Sequence, residues 1–209
     1  MEMNTLILFV IAALSINLIP GPDVIYIVTN TMKGKMKAGI RASLGLGVGY
    51  LIHTLAAVLG LSALILSSAL LFTIIKYLGA AYLLYLGVTS IINCYRNNSK
   101  ICVDNSNEKQ NNVFKQGVIV SVLNPKVAMF FLAFLPQFID PLAVNATSEL
   151  LILGLLFSLL ATGCNLFYAS LGSILFSSPK ALKYSRVLEG VSGTILIGLS
   201  AKIALSSSK

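Results

Sequence analysis

Apolar residues fill the chain in six long runs, separated by short polar stretches. The runs extend approximately from Thr5 to Asn30, Ala38 to Ser62, Leu70 to Asn93, Val113 to Phe138, Leu150 to Phe176 and Leu182 to Leu205. Each is longer than the ~18 apolar residues from which a membrane-crossing helix is read. The pattern predicts an all-α membrane protein with six transmembrane helices. Most connections are short, and only residues 94–112, with the run Asn105-Ser106-Asn107-Glu108-Lys109-Gln110-Asn111-Asn112, read as a solvated loop. No separate soluble domain is indicated. The whole chain, 1–209, reads as one transmembrane domain, with a first repeat of about 1–93, a cytoplasmic loop of about 94–112 and a second repeat of about 113–209.

Composition supports the same reading. The 209 residues are 56% hydrophobic and only 11% charged, with no Trp and a mean hydropathy of +0.88. A soluble domain carries roughly 25% charged residues to cover its surface, so a soluble globular enzyme is excluded, and disorder with it. Cys94, Cys102 and Cys164 form no C-x-x-C pair and have no histidine nearby, so neither a metal site nor a redox pair is indicated, and no cofactor is called for. The N-terminus, Met1-Glu2-Met3-Asn4, lacks the basic region of a cleavable signal peptide and reads as the start of a retained span.

The net charge of +8 is topology rather than nucleic-acid binding, for which no motif is present. Lys33, Lys35, Lys37 and Arg41 lie in the first connection, Arg96, Lys100, Lys109 and Lys115 in the third, and Lys180, Lys183 and Arg186 in the fifth. These are eleven of the 15 basic residues; the second and fourth connections hold none. Basic loops stay cytoplasmic, where they meet anionic lipid headgroups, so both termini are expected outside. Lys202 and Lys209 run against that rule.

Two of the runs are interrupted. The first contains Asn17-Leu18-Ile19-Pro20-Gly21-Pro22-Asp23 and the fourth Leu123-Asn124-Pro125-Lys126. Proline removes a backbone donor and clashes with the preceding turn, so Pro20, Pro22 and Pro125 each break a helix, and Gly21 adds the freedom to unwind it. Freed backbone groups are tolerated in a membrane only against protein or a wet cavity. With three spans in each half, a break opening each half is the arrangement of an inverted repeat. Pro22 and Pro125 suit the first position of the restarted helices and Asn124 the N-cap.

An ionisable residue follows each break. An Asp or Lys at mid-membrane costs about 2.5–3.5 kcal/mol on insertion scales, which makes Asp23 and Lys126 candidate functional groups. Asp23 suits the positive end of its helix dipole; Lys126 does not, and needs a negative partner in Asp23 or a ligand. Two readings stay open: a permanent ion pair locking the halves together, or a site into which a zwitterion inserts, its ammonium facing Asp23 and its carboxylate Lys126. Counting residues places Lys126 near mid-bilayer and Asp23 in the cytoplasmic half, a mismatch that a bend at residues 20–22 would correct. His53, the only histidine, is either hydrogen-bonded to a neighbouring carbonyl or a proton carrier. Asn17, Asn165 and Thr162 are polar groups at similar depth, lining a path or joining helices. Lys76 is placed to snorkel outward. Gly45, Gly47 and Gly49, with Gly79, Gly87, Gly190, Gly193 and Gly198, read as points of close helix approach.

Four motifs together resemble the LysE/RhtB family of bacterial amino-acid exporters. They are Pro20-Gly21-Pro22-Asp23, the glycine-rich second span with His53, the run from Lys76 to Gly87, and Asn124-Pro125-Lys126 with Phe130-Phe131-Leu132. The resemblance covers essentially the whole chain. It implies efflux of amino acids or their derivatives across the bacterial cytoplasmic (inner) membrane, driven by the proton motive force and often as a homodimer. Pro20, Pro22, Asp23, Asn124, Pro125 and Lys126 match the family's signature positions, with Asp rather than the also common Asn at 23. Membrane thiol-disulfide carriers of the broader superfamily need cysteines in spans 1 and 4, which are absent here. Competing readings are a passive small-solute channel and an intramembrane hydrolase, for which Ser43 lies too far from His53 to serve as nucleophile while a distant serine such as Ser121 could pair with it, although no oxyanion-forming motif surrounds either serine.

Overall fold

The computed structural model describes residues 3–61, 69–96, 112–139, 143–172 and 180–205, and the elements among them are all helical. Helix α1 is Met3–Leu18, α2 Pro22–Ala56, α3 Ala69–Arg96, α4 Val113–Val122, α5 Pro125–Met129, α6 Ala146–Gly172 and α7 Lys180–Leu205. A π-helical turn, Ala57–Leu61, extends α2. Helix α5 continues through a second π-helical turn, Phe130–Phe134, into a 3-10 turn, Leu135–Phe138. Residues 105–111 of the Asn-rich run, Lys100, Cys102, Asp140 and Lys209 lie outside the described residues, as do the side chains of Lys76, Arg96, Lys180 and Lys183.

Two helical stretches, one within Pro22–Gly60 and the other Ala146–Leu171, are long and apolar enough to cross a membrane. The pair Val113–Val122 and Pro125–Phe138, bent by 47°, is a third if taken as one broken span. Met3–Leu18 and Ala80–Tyr95 are apolar but shorter. Six apolar runs therefore do not become six uninterrupted helices. Each of the two proline-containing runs is divided at its break: the first between α1 and the start of α2, the fourth between α4 and α5.

The first connection is tighter than the charge pattern predicts. Residues 31–37 were expected as a polar loop, yet helical backbone continues through them except at Gly34 (φ −120°, ψ 20°) and Lys35 (φ 58°, ψ −170°). There the chain doubles back. A Cβ on Gly39 would collide with the Thr31 side chain, eight residues earlier, whereas a straight helix separates such positions by about 12 Å. Both limbs of α2 also meet the same part of α4: Tyr26 reaches Val113, and Ala42 and Gly45 lie against Phe114 and Gly117. The second limb then runs beside α4 in the same direction, with Gly49 and His53 at Ser121.

Helices pair as α2 with α4, α2 with α6, and α3 with α7, while α1 packs on α6 and α7. Several of the glycines sit at these seams. A Cβ on Gly45 would strike the Phe114 carbonyl, and one on Gly47 would come within 2.8 Å of Thr162 Oγ1. Gly87 and Gly193 face each other, each with its missing Cβ 2.8 Å from the other's carbonyl oxygen, and Gly190 lies against Cys94. Gly198 differs from expectation: open space surrounds it, so it is not a packing contact. The interior holds an aromatic cluster of Phe9, Phe130, Phe131, Phe134, Phe157 and Tyr50. Leu44, Val48, Leu51, Ile52 and Leu55 of α2 and Ile152, Leu155 and Leu159 of α6 stay exposed in apolar stripes, which suits a face turned to lipid.

Candidate functional site

The two breaks meet inside the bundle. A helix end leaves carbonyls without intrahelical donors, and at the end of α1 two of these are met by side chains from distant elements. The Leu18 carbonyl accepts from Tyr168 Oη at 2.9 Å and the Ile19 carbonyl from Lys126 Nζ at 3.1 Å. Gly21 takes the N-cap position of α2 in extended backbone, Pro22 follows at the first helical position, and Asp23 falls in the first turn. Space is tight there. A Cβ on Gly21 would stand 2.9 Å from Asp23 Oδ1 and 3.1 Å from Lys126 Nζ.

The second break is built the same way. Asn124 caps α5, its Oδ1 accepting from the Lys126 backbone N–H at 3.0 Å, with Pro125 next. Lys126 Nζ then donates to Asp23 Oδ1 at 3.1 Å, and the two side chains are only 6% and 1% exposed. The depth mismatch between Asp23 and Lys126 is thus resolved by the interruption at residues 19–21 and the early turn at Gly34–Lys35. The first limb of α2 is short, so Asp23 lies near the level of the second break.

Hydrogen bonding around the pair is incomplete. Asp23 Oδ2, Asn124 Nδ2 and Ser121 Oγ are buried with no partner, and Ser121 sits one turn before Asn124. Orphaned polar atoms in an interior cost about 1–3 kcal/mol each. A primary ammonium group carries three N–H donors, one of which Asp23 Oδ2 could accept, while a carboxylate could accept from Asn124 Nδ2, Ser121 Oγ and the remaining N–H of Lys126 Nζ.

His53 stands beside this group rather than in it. Its Nε2 lies 3.2 Å from the Ser121 carbonyl, and its ring stacks on Phe131 at 5.6 Å between centroids. Asn165 donates to Tyr50 Oη at 2.9 Å, and Asn17 donates to Ala13 O of its own helix at 2.7 Å. The structure therefore joins Asp23, Lys126 and Asn124 directly, sets His53 one residue contact away, and commits Asn17 and Asn165 to other partners. Tyr168 was missed in the sequence. The available signal was a hydroxyl in an apolar span, three residues beyond Asn165 and so on the same helix face. Glu189 was also passed over: it is buried in α7 with Oε2 unpartnered, but sits close enough to the basic fifth connection to read as its edge.

The LysE type translocator family model matches residues 14–207, nearly the whole chain and both breaks. The uncharacterized membrane protein YrhP of Bacillus subtilis (strain 168) is 35% identical, over 98% of this chain and 100% of its own. A leucine efflux protein of Enterobacter sp. (strain 638) is 30% identical over 94% of this chain and 93% of its own, and one of Salmonella choleraesuis (strain SC-B67) is 28% identical over 94% and 92%. No solved structure matches.

Proposed function

The chain belongs to the LysE type translocator family, a multi-pass membrane transporter and not an enzyme, and from that premise we propose that it exports neutral amino acids across the cytoplasmic membrane by alternating access around the two helix breaks. The observation that carries this is the buried Asp23–Lys126 pair, with an acceptor, a donor and a hydroxyl left unpartnered beside it. An α-amino acid presents the complementary ammonium and carboxylate. Phe130 and Phe131, one turn beyond Lys126, supply an apolar wall for its side chain. The leucine efflux relatives favour a branched aliphatic side chain.

Six spans in two inverted three-helix repeats account for the packing. Under that reading each span meets its counterpart: the first and fourth at the breaks, the second and fifth as α2 with α6, and the third and sixth as α3 with α7. The reciprocal Gly87–Gly193 contact is what a two-fold relation between halves produces. Proton coupling is the energy source we assign, with His53 as the carrier adjoining the site through Ser121.

The test is export from cells that overproduce the protein and are loaded with a panel of dipeptides. Wild type builds an outward gradient of branched-chain amino acids that collapses with an uncoupler. Lys126→Ala inserts normally and exports nothing. A flux that only equilibrates the gradient identifies a channel and overturns the proposal.

A further inference from the structure

A cavity of about 210 Å³ lies away from the ion pair, between the start of α1, the end of the α5 segment and the end of α7. A single water needs only about 10–15 Å³ of such space, so the cavity has room for a small solute. Thr5, Leu8, Gln137, Phe138, Leu199 and Lys202 line it. The start of the first helix and the end of the last both border it, so it opens at the end of the bundle that carries the termini. The basic Gly34–Lys35 turn and the start of α4 lie at the other end.

We propose that this cavity is the outer vestibule of the transport path, a second station for a zwitterionic amino acid in which Lys202 takes the carboxylate and Gln137 the ammonium. The inference rests on the export reading and on the outward placement of the termini. Lys202 is one of the two cations that violate the distribution of basic residues, and a carboxylate-binding role gives that charge a reason to lie outside. Gln137 donates its amide N–H to the Ala133 carbonyl at 3.3 Å, which leaves its Oε1 to accept from an ammonium. Leu8, Phe138 and Leu199 offer an apolar wall to the side chain.

Four rings separate this vestibule from the ion pair. Phe138 lines the cavity and contacts Phe134 at 4.9 Å and Phe9 at 5.2 Å between centroids. Behind them Phe130 meets Phe134 at 5.1 Å and Phe9 at 6.0 Å, one turn from Lys126. Phe130 and Phe134 ride on the π-helical turn and Phe138 on the 3-10 turn. Such irregular helical backbone is found at hinges, where a small change of register moves several side chains together. In this conformation the rings are closed, and the outer station is cut off from the inner one.

The experiment uses the full chain with Cys94, Cys102 and Cys164 replaced by serine and one reporter, Leu8→Cys or Leu199→Cys, in vesicles of phosphatidylcholine alone or with phosphatidylglycerol. A membrane-impermeant maleimide applied from the outer face labels both reporters. L-leucine slows labelling at least five-fold in both lipids; leucine methyl ester, which lacks the carboxylate, does not. Adding Lys202→Gln keeps the labelling and abolishes the protection. The proposal is overturned if the reporters are labelled only from the inner face, if leucine gives no protection, if the ester protects equally, or if protection requires phosphatidylglycerol, which makes Lys202 a lipid-headgroup site. Efflux by the unmodified chain is measured in the same vesicles. Efflux without protection sinks the vestibule and leaves the export reading standing, while absence of efflux sinks the export reading itself.

Discussion

Asp23 and Lys126 carry both a structural and a transport reading, and their energetics separate the two. Removing one partner of a buried pair costs about 3–5 kcal/mol because a lone charge remains, whereas replacing both by apolar or neutral groups of similar size is close to neutral. Asp23→Asn alone is therefore expected to lower the thermal midpoint in detergent, and Asp23→Asn with Lys126→Met to restore it. If the pair only locks the halves together, the restored double variant exports at the wild-type rate; as a substrate site it folds and exports nothing. His53 is tested by a different readout. Its imidazole bridges the Ser121 carbonyl and the face of Phe131, so His53→Gln is expected to keep amino-acid exchange between two filled sides while losing accumulation against a gradient. Full uncoupler-sensitive accumulation in that variant removes histidine from the coupling mechanism. Most of this cluster was legible in the sequence because charge in an apolar run is conspicuous and proline marks where backbone groups come free. Tyr168 was not legible, since a tyrosine in an apolar span has many uses and only the fold brings its hydroxyl to the Leu18 carbonyl.

At the scale of elements, the turn between the limbs of α2 is the clearest departure from the expected layout. Lys35 adopts φ 58° and ψ −170°, a region open to glycine and strained for other residues by about 1–3 kcal/mol. The glycine of this turn stands one position earlier, at 34. Lys35→Gly is accordingly expected to raise the thermal midpoint in detergent, by a stabilisation of about 1 kcal/mol; an unchanged or lowered midpoint shows that the reversal is not under strain. Hydropathy had assigned residues 31–37 to a loop because four basic residues cluster from 33 to 41. Long basic side chains are compatible with helix, and Lys33, Met36 and Lys37 remain exposed on it, so charge located the reversal without revealing how short it is. The glycines behaved more regularly. A residue without a Cβ at the α2–α4 and α3–α7 seams is explained by backbone contact across them, although Gly198 shows that a glycine in a span need not mark one.

At the scale of the whole molecule, the proposed orientation rests on where the basic residues lie and has a direct check. Epitope tags at either terminus are expected to bind antibody on spheroplasts with intact membranes, and a tag inserted at residue 107 only after permeabilisation; the reverse pattern inverts the topology and moves the vestibule to the cytoplasmic side. The chain's own order of apolar runs, prolines and charges was enough to determine that this is a helical, multi-pass membrane protein broken at two places. Those properties depend on local terms: transfer of side chains into lipid, the missing proline donor and the cost of isolated charge. Tertiary structure decided what those terms leave undetermined. It brought residues 23 and 126 to 3.1 Å, set His53 against Ser121 rather than against the charges, and packed Phe9, Phe130, Phe134 and Phe138 edge to face and tilted against one another, with Phe138 at the terminal cavity. Such contacts arise from how helices pack after they form, and packing partners far apart in the chain leave no periodic trace in it.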